Sequence, residues 1–238
     1  MDATEVLALG LGATPPWRLV DQRLNTGKRP HVLEIGLDAG RGALFPCRDC
    51  GKACKAHDFK ELTWRHLNFF QHHCMITAKV PRTDCPEHGV KRMTVPWARD
   101  GSGFTLLFEQ AALMLVREMP VLPAARIMEI TDKRLWRIVE HYVGRALSGL
   151  DLSRLKAFAF DETASKRGHN YVTVFIDLDR KRTPVVFATP GKGKETVKAF
   201  KVFLEEHGGQ PNRIVEVVCD MSPADRKSTR LNSSHTSI

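Results

Sequence analysis

The sequence predicts a multidomain α+β chain: a β-rich, zinc-binding N-terminal region, a helical segment of helix-turn-helix form, and a mixed sheet. Three observations carry that reading. Cysteine and histidine gather between residues 47 and 92 in pairs with two intervening residues, the hydrophobic period turns helical at Phe104, and from Leu155 onward short apolar runs alternate with turns. The boundaries this implies are 1–100, with the zinc-binding part at about 44–92, then 101–150 and 151–224.

Taken in order, residues 6–11 read as a short apolar helix. Alternation over 17–24 and 31–37 predicts two strands joined at Asn25-Thr26-Gly27. In the next segment Phe104, Leu107, Phe108, Ala111 and Leu115 share one helical face, and Met119-Pro120 ends that helix. Residues 122–130 make a second helix, and Thr131-Asp132 is placed to cap a third. In that third helix Leu135, Ile138, Val139, Tyr142, Val143 and Ala146 form one face, while Arg134, Arg137, His141 and Arg145 form another. Strands are then predicted over 157–160, 171–178 and 184–188, a helix over 194–207 and a last strand ending at Asp220. Three successive strands, a crossover helix and a further strand imply a mixed sheet covered by helices.

The 238 residues are 42% hydrophobic and 26% charged, an ordinary globular balance, and no apolar run reaches the ~20 residues that a membrane helix requires. Asp2 and Glu5 stand where an export signal carries positive charge, so the expected location is the cytoplasm. A formal net charge of +9 favours a polyanionic partner, because phosphates recruit Lys and Arg through counterion release. In a reducing compartment the six cysteines point to metal rather than disulfides.

Cys47-Arg48-Asp49-Cys50 and Cys85-Pro86-Glu87-His88 have the spacing that lets one tight turn aim two side chains at one tetrahedral ion. Cys54 with His57, and the cluster His72, His73 and Cys74, offer alternative ligands. Residues 122–147 read as a helix-turn-helix whose second helix enters the major groove of double-stranded DNA, with Arg134 and Arg137 leading and His141 and Arg145 following. Asp161 and Asp220 each follow a short apolar run, at the carboxyl end of a strand. Two such carboxylates at one sheet edge suit Mg²⁺ or Mn²⁺ and two-metal phosphoryl chemistry. Lys166 and Arg167 lie just beyond Asp161 and are candidate phosphate contacts. Gly191-Lys192-Gly193-Lys194 is not a phosphate-binding loop of Walker type, since Ala188 and Glu195 occupy its required Gly and Ser/Thr positions.

At these residues the chain resembles the ISL-three family of insertion-sequence transposases, over about 17–224. The resemblance rests on Cys47-Arg48-Asp49-Cys50, Trp64-Arg65-His66-Leu67 inside the finger, the helix-turn-helix, Phe160-Asp161-Glu162, Arg167-Gly168-His169-Asn170-Tyr171-Val172-Thr173-Val174 and Cys219-Asp220-Met221-Ser222-Pro223. It implies a zinc-binding domain and a helix-turn-helix for terminal inverted repeats, followed by a partial ribonuclease-H-like sheet with an Asp-Asp-Glu triad. Asp161 would be the first catalytic acid and Asp220 the second, and the assembly allows a homodimer. The chain departs from the pattern in ending its second zinc pair with His88, and in having no third acid.

Residues 225–238 are polar and aperiodic and resemble translated adapter sequence, so the expectation is a disordered tail on a truncated, inactive product. A rival expectation from another class is a non-catalytic regulator built on the same zinc site and helix-turn-helix.

Overall fold

The computed structural model describes residues 3–40, 42–166, 170–182 and 184–219, apart from the side chains of residues 3–5 and 166. Asp220, Arg167 and the 225–238 tail lie outside the described residues. The chain divides into two compact units, 1–142 and 143–238.

The first unit opens with α1 (Ala3–Gly10), β1 (Trp17–Asn25) and β2 (Val32–Ala39). The β1–β2 turn is set by Asn25, whose side-chain oxygen accepts from the Gly27 N–H at 3.1 Å, the local bond that makes Asn a turn former. The short strands β3 (Phe45–Pro46) and β4 (Ala53–Cys54) pair with each other. Two 14-residue strands follow, β5 (Ala56–Phe69) and β6 (His72–Cys85), and then β7 (Gly89–Arg92). The five-stranded sheet runs β1-β2-β6-β5, with β7 also paired to β6. All its pairings are antiparallel except β2 with β6.

That parallel pairing joins the region before the cysteines to the region that holds them. Trp64-Arg65-His66-Leu67, between the two ligand pairs as expected, lies on the long strand β5. The reason is visible on β6, where buried Cys74, Ile76, Ala78 and Val80 alternate with more exposed Met75, Thr77 and Lys79, so that one face joins the core. Trp97 sits edge-on to Trp17 at 5.1 Å and to Trp64 at 5.6 Å, the orientation that ring quadrupoles favour.

Helices α2 (Leu106–Glu118), α3 (Val121–Ile127) and α4 (Asp132–Ser148) form the helical segment. Thr105 caps α2 by accepting from the Phe108 N–H at 3.3 Å, and Pro120, which cannot continue a helix, separates α2 from α3. Thr131 accepts from the Arg134 N–H at 3.4 Å at the start of α4. Phe108, Ala112, Ala124, Ala125, Leu135 and Ile138 make the core between the helices, the alanines permitting close approach. Phe104 is buried but precedes α2, Leu107 is 41% exposed, and Val143 and Ala146 are exposed on α4, so the buried stripe is narrower than the sequence predicts. Fully buried Glu109 is neutralised by Arg99 Nε at 2.9 Å and accepts from Ser102 Oγ at 2.7 Å and Tyr142 Oη at 2.8 Å.

The second unit contains β8 (Ala157–Lys166), β9 (Asn170–Asp177), β10 (Val185–Pro190), α5 (Lys194–Glu206) and β11 (Glu216–Cys219). Its sheet runs β10-β9-β8-β11, with β11 parallel to β8 and the other pairs antiparallel. The expected mixed sheet with a crossover helix is present. On α5, Val197, Phe200 and Leu204 pack on Phe158, Phe160, Phe175 and Val186, with Phe175 and Phe200 stacked at 4.3 Å. Glu162 Oε1 accepts from the Gly193 N–H at 2.6 Å, tying β8 to the start of α5.

Candidate functional site

Two turns bring Cys47, Cys50, Cys85 and His88 together. The first follows β3: the Gly51 N–H donates to Cys47 O at 2.8 Å, and Gly51 takes φ 72°, a value glycine adopts without strain. The second is the β6–β7 hairpin, closed by the pairing of Cys85 with Gly89 at φ 68°. The four ligand atoms lie within 4.8 Å of one another. Around a tetrahedral zinc, bond lengths of about 2.3 Å to sulfur and about 2.0 Å to nitrogen put ligands about 3.8 Å apart for S···S and about 3.5 Å for S···N. Here Cys50 Sγ to Cys85 Sγ is 3.8 Å, Cys85 Sγ to His88 Nδ1 is 3.6 Å and Cys47 Sγ to His88 Nδ1 is 3.9 Å. The donor set fits a closed structural zinc site.

The electrostatics ask for a cation. Backbone N–H groups of Glu87 and then His88 donate to Cys85 and hold its thiol below the ordinary range in spite of burial. At Cys50 the Lys52 N–H also favours the thiolate, but burial and the neighbouring Cys47 and Cys85 sulfurs outweigh it and push the thiol up. Thiolates this close cannot all ionise unless a positive ion sits between them. Lys91 Nζ to Asp49 at 2.6 Å and Lys52 Nζ to Glu87 at 3.4 Å bridge the two turns from outside.

The alternative ligands go elsewhere. Cys54 is buried beside the tetrad, yet its thiol donates to Lys52 O at 3.3 Å. Cys74 belongs to the main core, where burial pushes its thiol up to about 11. His57 stands 3.8 Å from Asp58, His72 packs on His31, and His73 bonds Glu129 at 2.7 Å.

On α4, Arg134, Arg137, His141 and Arg145 recur at helical spacing. Arg137 and Arg145 are exposed, and His141 is half-buried with its ring 5.1 Å from that of Tyr142. The Arg134 guanidinium lies 4.3 Å from the centre of the Phe104 ring, a cation–π contact that fixes it at the start of the helix.

Asp161 is exposed, but it is not at a strand end. It pairs with Val174 inside β8, which continues five residues further to Lys166, paired with Asn170. The polar run Glu162-Thr163-Ala164-Ser165 looks like a turn, yet its backbone still pairs with β9. Asp161 lies in a shallow groove on one face of the sheet, beside Ala159, Thr163, Val174, Ile176 and Val218. On the neighbouring strand the last described pairing is Cys219 with Phe160.

A residue with no local signal is Glu129. It bonds Asn68, His73 and Arg65 from a backbone at φ 53°, a conformation uncommon for a side chain of its type.

One chain thus combines a cysteine-histidine tetrad at zinc spacing, three helices ending in a basic one, and a mixed sheet carrying an exposed aspartate, a set that fits a metal-supported class of protein. Comparison with known proteins narrows this. Residues 44–88 match the zinc-finger of transposase IS204/IS1001/IS1096/IS1165, residues 93–143 the helix-turn-helix domain of transposase family ISL3, and residues 158–237 the family's DDE-type transposase domain. The chain belongs to the ISL3 family of insertion-sequence transposases. It is 30% identical over 205 residues to the transposase for insertion sequence element IS1557 of Mycobacterium tuberculosis, covering 77% of this chain and 45% of that protein. It is 26% identical over 194 residues to the transposase for insertion sequence element IS1001 of Bordetella parapertussis, covering 81% of this chain and 47% of the relative. The chain therefore spans about half the length of the curated relatives it matches. No solved structure matches it. Among the described residues no helix is long and apolar enough to cross a membrane.

Proposed function

We propose that this chain is the end-recognising part of an insertion-sequence transposase. Cys47, Cys50, Cys85 and His88 hold one structural Zn²⁺, which closes the two turns. Helix α4 docks in the major groove of a terminal inverted repeat through Arg134, Arg137, His141 and Arg145, and Lys166 and Arg167 add phosphate contacts. Two copies, one on each repeat, make the symmetric assembly that paired ends call for.

The observation that carries this reading is the order of three family-specific segments in one chain, zinc finger, helix-turn-helix and transposase domain, with the tetrad already at ligand distances. Asp161 and Asp220 are proposed as two acids of a ribonuclease-H-like site that cuts and joins DNA in the whole protein. Two features support that role. Asp161 is exposed on a central strand, and Cys219, the residue before Asp220, pairs with Phe160, the residue before Asp161. Mg²⁺ or Mn²⁺ held there would activate water or a 3′ hydroxyl and stabilise the leaving oxygen.

The test is fluorescence anisotropy with a duplex carrying the terminal repeat and a scrambled control. Arg137→Ala should weaken repeat binding by roughly tenfold, while Asp161→Ala leaves it unchanged. Equal affinity for the scrambled duplex, or no effect of Arg137→Ala, would contradict the reading.

A further inference from the structure

The β5–β6 hairpin reaches beyond its sheet to the turn of the helix-turn-helix. Glu129, between α3 and α4, accepts from Asn68 Nδ2 at 3.3 Å and Arg65 at 3.5 Å and bonds His73 Nε2 at 2.7 Å. These partners come from both strands, so the tip is clamped to the turn. Asn68 and His73 hold the Glu129 carboxyl below its ordinary range, keeping it charged for that clamp.

At the tip Phe69 and Phe70 meet edge-on at 4.7 Å, and Phe70, at φ 53°, is 85% exposed. A phenylalanine displayed this way adds little to the fold, since most of its surface stays in water. Strand β2 runs parallel beside β6 with Val32 paired to His73, which puts the β1–β2 loop at the same end of the sheet. That loop carries exposed Lys28 and Arg29, and the His31 ring lies 5.3 Å from that of His72. Glu34 is engaged by Arg23 and Asn25 and also pairs with Lys28 at 3.6 Å, a solvent-exposed ion pair weak enough for a phosphate to displace, and Glu129 is engaged by the clamp. An exposed aromatic wedge beside cations matches the chemistry with which proteins enter the DNA minor groove, where an apolar side chain unstacks a base step and basic residues hold the phosphates.

We propose that this hairpin tip is a second DNA-contacting element, a wing that enters the minor groove next to the major groove occupied by α4. Phe70 acts as the wedge, and Lys28 and Arg29 bind the flanking phosphates. The inference rests on the helix-turn-helix reading of α4. The first turn of a recognition helix lies at the base edges, and α4 begins three residues after Glu129, so whatever is clamped to Glu129 is close to the duplex. Phe70 sits in the turn between β5 and β6, two residues past the clamped Asn68, so the wedge is held at the tip that Glu129 anchors. Arg134 stands on the same flank, because it stacks on Phe104, whose backbone bridges Arg65 of β5.

The test uses the full 238-residue chain and a duplex of about three helical turns bearing the terminal repeat, with 2-aminopurine at successive positions flanking it. Wild type should raise 2-aminopurine emission at one step. Phe70→Ala should abolish that rise and weaken binding on the order of tenfold, with Phe70→Trp restoring both. Replacing Lys28 and Arg29 together by alanine should lower the slope of log affinity against log salt by about 1.8. Wild-type affinity and emission for Phe70→Ala, with Arg137→Ala still weakening binding, overturns the wing and leaves the helix-turn-helix reading intact. No effect of Arg137→Ala brings both down. Loss of self-association in Phe70→Ala with unchanged DNA affinity assigns the tip to a second copy of the chain and also overturns the wing.

Discussion

The tetrad and the Asp161 groove are both candidate metal-binding places, yet they are held in opposite ways. Cys47, Cys50, Cys85 and His88 come from two tight turns whose own backbone bonds and glycines aim the side chains, so the site is specified within a few residues on each side. Asp161 instead stands inside a ladder, and where it faces depends on its pairing with β9 on one side and on the register of β11 against β8 on the other. A turn-built site is local and nearly closed; a ladder-built site is only as complete as the strands beside it.

The difference can be broken open by substitution. Cys85→Ser should have the largest effect, because structural zinc in small domains contributes on the order of 10 kcal/mol or more to folding. Zinc content should fall, and amide exchange protection should collapse over β6 and β7 while β9 and α5 keep theirs. Protection lost equally in both units would mean that the tetrad does not act on the first unit alone. Phe175→Ala is the converse experiment, since that ring is fully buried against Phe200 and Phe160. It should cost about 3–5 kcal/mol, read by denaturant melting, with zinc content unchanged.

The smallest effect is expected at the junction of β5 and α2. There His66 Nδ1 meets Thr105 Oγ1 at 2.9 Å, and burial holds the imidazole below its ordinary value of 6.5. The folded state therefore favours the neutral ring, and the unfolded chain binds the proton first as pH falls. Stability from this group is complete above 6.5, declines from there down to the folded value, and is level below it. His66→Gln should flatten that slope in melts taken between about pH 7 and about pH 5. An unchanged slope would remove His66 from the explanation.

What could be read from the sequence follows the same division. The ligand pairs, the Asn25 turn, the caps at Thr131 and the Pro120 break were legible, because each rests on chemistry within a few residues. The long strands β5 and β6 were not anticipated, although Cys74, Ile76, Ala78 and Val80 alternate as strand residues do; ligand-type residues overlie that pattern. The parallel pairing of β2 with β6 and the clamp on Glu129 join residues with no local relation, so no short window records them. Asp161 was expected at a strand end because polar residues follow it. An exposed ladder needs only backbone pairing to continue, and β8 does so through Glu162, Thr163 and Ala164.

Cobalt substitution tests the turn-built site most directly, since Co²⁺ reports ligand number and sulfur content in its visible absorption. One ion per chain is expected, with the intense bands of a tetrahedral site of three thiolates and one imidazole. Those bands should be unchanged by Cys54→Ser, whose thiol bonds Lys52 O instead, and altered by His88→Ala. Weak octahedral bands in the wild-type chain, or loss of the tetrahedral bands in Cys54→Ser, would contradict the assignment of Cys47, Cys50, Cys85 and His88.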